Sequence, residues 1–149
     1  LYRELDDRWG IAYSLVHLGE QFHYDAENNL LAESYYREAW QLMEILDHPW
    51  QKVWVLNNWG LVLARLGRFA EGDTRLSQAQ AISIETGYKP GVLSNSLYLG
   101  MVAIEGGQFR QGQTLLEESM TLRNEFEESA PIFEGWIDAD LAVALTHLG

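Results

Sequence analysis

The chain has 149 residues, enough for one domain with a sizeable core or for a short run of repeats. Its 22 acidic residues outnumber 10 Lys and Arg, and a net charge of -12 repels phosphate, which disfavours direct contact with nucleic acid or an anionic membrane face. With no cysteine there is no disulfide framework, thiolate metal site or Cys nucleophile, and no apolar run reaches the roughly 18 residues of a membrane span.

Read in chain order, the sequence repeats itself. Pro49, Pro90 and Pro131 are each 41 residues from the next. Gly67-Arg68-Phe69 returns as Gly107-Gln108-Phe109, and Gly72, Leu76 and Ala79 return as Gly112, Leu116 and Ser119, all at a shift of 40. Backwards, Ala32, Tyr36 and Ala39 precede Gly72, Leu76 and Ala79 by 40, and Leu18-Gly19 stands where Trp59-Gly60 and Leu99-Gly100 recur. The units are therefore residues 9–48, 49–89 and 90–130, with a truncated fourth at 131–149. Residues 1–8 read as the tail of a preceding helix.

Within each unit the apolar period is helical: Val55, Trp59, Val62, Leu63 and Leu66 step by three and four. Gly67 and Gly107 suit the left-handed position that ends a helix, and Gly87 before Pro90 reads as a stop. Each proline can stand in a first turn, where its missing N–H costs nothing. The pattern predicts paired helices at about 9–25 and 30–47, 50–66 and 69–87, 91–106 and 109–128, then a lone helix at 132–148. Gly60, Gly72, Gly100 and Gly112 fall inside these helices, at a cost of about 1 kcal/mol each relative to Ala. Their recurrence predicts that the two helices of a unit cross closely there.

The motif Leu99-Gly100, Ala103, Gly107-Gln108-Phe109, Gly112, Leu116, Ser119, with its copies at Trp59 to Ala79 and Leu18 to Ala39, resembles the tetratricopeptide repeat. The first copy lacks the turn glycine and carries Asp25-Ala26-Glu27-Asn28-Asn29 instead. The family's standard unit is about 34 residues. At 40 to 42 residues, this chain is more similar to the long-helix subclass of bacterial LuxR-type and maltose-regulator-like signalling proteins. The resemblance implies an all-α fold, a right-handed superhelix (solenoid) of about seven helices, whose first helices line a concave groove.

Carrying the family's groove positions onto this chain gives Tyr13, Glu20, His23 and Tyr24, then Trp54, Asn57, Leu61 and Arg65, then Ser94, Leu97, Met101 and Glu105, and finally Trp136. Tyr13, Trp54 and Trp136 would anchor a partner. Asn57 is the leading polar candidate, because one amide can satisfy a backbone N–H and C=O together. The competing reading is that several of these residues simply pack between neighbouring first helices. A carboxylate clamp is disfavoured, since only Arg65 and Asn57 suit one. His17 and His23, six apart, point to different faces, so no metal site is expected. The acidic runs at Glu117-Glu118 and Glu125 to Glu128 read as solvated helix face.

No nucleophile–base set, phosphate loop or dinucleotide fingerprint is legible, so neither catalysis nor a cofactor is expected. The expectation is a cytoplasmic interaction module, a piece of a larger bacterial regulator, holding a peptide, a partner domain or a small inducer. The rival is a structural array whose main contacts are neighbouring domains or its own copies. Leu141, Leu145 and Leu148 form one stripe with no following helix to cover them, which predicts fraying or self-association through the last helix.

Overall fold

A computed structural model describes residues 2–23 and 26–127 of the chain, with side chains for 7–22 and 27–125. The described residues form six α-helices and one short 3-10 turn, with no strand among them. The helices are α1 (Tyr2–His23), α2 (Asn29–Met43), α3 (Pro49–Arg65), α4 (Phe69–Glu85), α5 (Lys89–Glu105) and α6 (Phe109–Glu127). They pack as pairs, α1 with α2, α3 with α4 and α5 with α6. Each pair meets the next through α2–α3, α3–α5 and α4–α5, and α1 also touches α3.

The turns follow from glycine. Gly67, Gly87 and Gly107 have φ of 77°, 64° and 78°, a region a Cβ makes costly. Each sits in the same pair of hydrogen bonds: Arg68 N–H reaches Leu63 O at 2.8 Å and Gly67 N–H reaches Ala64 O at 2.8 Å. Tyr88 and Gln108 repeat the longer bond, to Ser83 O and Ala103 O, both at 2.8 Å. These are Schellman closures, which satisfy carbonyls that the helix end would otherwise leave open. The first pair has no such glycine, and a 3-10 turn at Ala26–Asn28 leads into α2.

Two boundaries differ from the sequence expectation. α1 is continuous over Tyr2–His23, so residues 2–8 belong to the same helix as 9–23. Glu4-Leu5-Asp6-Asp7-Arg8 holds no proline or glycine to break it. α2 ends at Met43, four residues earlier than expected; a turn follows at 44–46, and His48 before Pro49 is extended (φ -129°, ψ 82°). Leu46 turns back into the core instead.

The helical glycines sit at close crossings. A Cβ on Gly72 would stand 2.7 Å from Gly60 O, and one on Gly60 would stand 2.8 Å from Leu76 Cγ. A Cβ on Gly112 would stand 2.9 Å from Gly100 O, and one on Gly19 would strike the Tyr36 ring at 2.7 Å. The core runs between the layers, from Ala12, Val16 and Tyr36 through Val55 and Val62 to Leu97 and Leu116. Residues 131–149, with the Leu141, Leu145 and Leu148 stripe and Trp136, lie outside the described residues, as does Tyr24.

Candidate functional site

Where α1 meets α3 the contact is aromatic. Trp9, Tyr13 and His17 step by four along one face of α1. Trp9 stacks on Tyr13 with ring centres 5.3 Å apart, and Tyr13 meets the His17 ring edge-on at 4.3 Å. Trp54 of α3 lies against both, 5.8 Å from Tyr13 and 5.1 Å from His17. Glu20 ties the cluster together: it accepts the Trp54 indole N–H at 2.7 Å and pairs with His17 Nδ1 at 3.1 Å. Tyr13 remains 37% exposed and the His17 side chain 44%, so the cluster presents ring edges and an acid to solvent. Offset and edge-on ring pairs of this kind are worth about 0.5–1.5 kcal/mol beyond area burial.

Tyr13, Glu20 and Trp54 are thus brought together. His23 ends α1, and its side chain lies outside the described set. Sequence reasoning missed Trp9 and His17. The signal was present, since both share the four-residue step with Tyr13.

Where α3 meets α5 the contact is buried amide. Asn57 donates to Ser94 Oγ at 3.1 Å and accepts from Asn95 Nδ2 at 3.0 Å. Asn95 also donates to Leu76 O at 2.9 Å, and Ser94 donates to Gly91 O at 3.1 Å. One residue on, Tyr98 OH donates to Asn58 Oδ1 at 2.8 Å, and Asn58 donates to Trp54 O at 3.1 Å. Asn57, Ser94, Leu61, Leu97 and Met101 are all buried, at 4% exposure or less. All five side chains are thus enclosed: Asn57 and Ser94 bond each other, and Leu61, Leu97 and Met101 belong to the core. A polar group buried without a partner is costly, and here the partners are each other.

Arg65 and Glu105 find each other across the same pair of helices, Nε to Oε1 at 3.0 Å. With Asn57 enclosed and Arg65 paired, the two residues that suited a carboxylate clamp already have partners. Among the described residues no group of three or more His, Asp or Glu is placed to hold a metal ion. No described helix is long and apolar enough to cross a membrane. Compared with protein-family models, with curated proteins and with solved structures, the chain matches none.

Proposed function

We propose that this chain is a tetratricopeptide-like superhelical array of the long-helix kind, part of a larger cytoplasmic regulator of bacterial type. It works without catalysis and holds a peptide or protein partner against the aromatic face of α1 and α3. Three features support the array: the recurring glycine closures, the glycine crossings at a 40-residue spacing, and packing of each helix pair on the next. One observation carries the binding reading. Trp9, Tyr13, His17 and Trp54 form a cluster of rings left partly open, with Tyr13 37% exposed. Aromatic anchors dominate partner binding because they bury large area at small entropic cost. Glu20 at the edge of the rings, and the net charge of -12, favour a partner with an apolar anchor and basic flanks.

A peptide array probed with the chain tests this, followed by calorimetry on the strongest hit. Tyr13→Ala with Trp54→Ala is expected to weaken that hit about tenfold or more, with helicity by circular dichroism retained. Unchanged affinity in the double variant would move the partner off this face.

A further inference from the structure

A cavity of about 290 Å³ opens between α4, α5 and α6. Its meaning comes from the equivalent place one repeat earlier, between α2, α3 and α4, which is filled. There Trp59 is 5% exposed and Leu63 1%. The Trp59 indole N–H points to Glu33 Oε1 at 3.3 Å, and the Arg75 guanidinium lies 4.0 Å over the ring. Arg68 bonds Glu71 at 2.6 and 2.7 Å and reaches toward Glu33 at 3.8 Å.

Forty residues on, each plug is cut back. Leu99 stands for Trp59, Ala103 for Leu63 and Gly106 for Leu66. Leu115 and Gln108 replace the two arginines, Arg75 and Arg68. The acid alone persists, as Asp73 in place of Glu33. The result is a half-open cleft of mixed lining, with Val102 and Ala103 buried at its floor and the partly exposed Phe69 ring along one wall. A Cβ on Gly106 would meet that ring at 3.5 Å. Asp73, Gln108 and Gln111 are exposed at the mouth, and no Lys or Arg lines it.

We infer that this cavity binds a small aromatic amine of indole size, with its ring where the preceding repeat holds its own Trp59 and its cationic nitrogen toward Asp73. The volume lies just under the roughly 300–1,000 Å³ range of pockets for drug-sized ligands, which suits one bicyclic ring. In the filled copy the acid meets the indole N–H directly. Aspartate is one methylene shorter than glutamate, so the donor must reach further, as an aminoalkyl arm does. With both arginines gone, the acid has no cation among the lining residues, and a ligand cation supplies one. The inference stands apart from the α1–α3 face and does not rest on it.

Calorimetry and saturation-transfer NMR of the full chain with tryptamine and with indole test it. Tryptamine is expected to bind more tightly than indole. Leu99→Trp and Ala103→Leu, each restoring what the preceding repeat carries, are expected to weaken both ligands about tenfold or more. Asp73→Asn is expected to weaken tryptamine about tenfold and to leave indole within about twofold. The assignment is overturned if neither ligand binds up to about 5 mM. It is equally overturned if either filled variant, with helicity retained, binds tryptamine as the unaltered chain does. Equal losses for indole and tryptamine in Asp73→Asn would overturn the placement of the amine.

Discussion

The seam between α1 and α3 and the seam between α3 and α5 join helices at equivalent places in successive repeats, yet they are built differently. α3 and α5 run backbone-near-backbone, whereas α1 touches α3 at few points along the main chain. Side-chain size accounts for the difference. α5 offers Ser94 and Asn95 to its neighbour, while α1 offers Tyr13 and His17. The distance between packed helices follows the bulk at their contact. Close approach excludes water, so polar groups there must satisfy one another, as Asn57, Ser94 and Asn95 do. Wider approach leaves ring edges in solvent. One geometry therefore spends its polar groups on cohesion, and the other leaves chemistry available to a partner.

The sharpest break of this contrast is Asn57→Ala. It removes two buried hydrogen bonds and leaves a void where the enclosed amide stood. A loss of about 2–4 kcal/mol is expected, read as a lower midpoint in urea unfolding. A residue that only held a ligand would lose almost nothing. Tyr98→Phe is the next step down. It strips the hydroxyl from Asn58 Oδ1 and is expected to cost about 1–2 kcal/mol by the same measurement.

The third test turns on an amide of the same helix that the seam does not satisfy. Gln51 is fully buried, and neither its Nε2 nor its Oε1 has a partner. Asn57 and Asn58 show what a satisfied amide on α3 looks like, and Gln51 is their opposite. Replacing an unpaired buried polar group by an apolar one of equal shape removes its desolvation cost. Gln51→Met is expected to stabilise the fold by about 1 kcal/mol, a rise of roughly 2–4 °C in thermal midpoint. A fall in the midpoint would mean that a bound water serves this amide.

Much of the fold was legible because glycine and proline act locally. Gly67, Gly87 and Gly107 announce the turns, and Pro49 and Pro90 stand in first turns as expected. The crossings at Gly60 with Gly72 and Gly100 with Gly112 follow from their shared spacing. The bounds of α1 and α2 differ from expectation, since no proline or glycine in residues 2–9 separates that stretch from the helix and none marks the end at Met43.

The candidate site was legible only in part. Tyr13, Glu20 and Trp54 do meet, and Asn57, for which groove contact and packing between helices were both open, is enclosed. Whether an amide faces a ligand or a neighbour depends on how near two helices come, and that is a property of pairs. A clue existed in Asn57-Asn58 answered by Ser94-Asn95, two polar doublets inside otherwise apolar helices. The emptied plug positions at Leu99, Ala103 and Gly106 were visible in the repeat register as well, but a lost side chain reads as a cavity only once its neighbours are known not to collapse.

The glycine crossings also have a consequence for the order of assembly. They join Gly60 to Gly72 and Gly100 to Gly112, twelve residues apart, whereas the α3–α5 seam joins Asn57 to Asn95 and Asn58 to Tyr98, 38 and 40 apart. Closing the longer loop costs about 1 kcal/mol more in chain entropy. Each helix pair is therefore expected to form before it docks on the next. In stopped-flow refolding, Gly72→Ala, whose new Cβ presses on Gly60 O, should chiefly slow folding. Tyr98→Phe should instead chiefly hasten unfolding, because its hydrogen bond forms after the barrier. Opposite assignments of the two effects would mean that the pairs assemble by docking first and close their own crossings last.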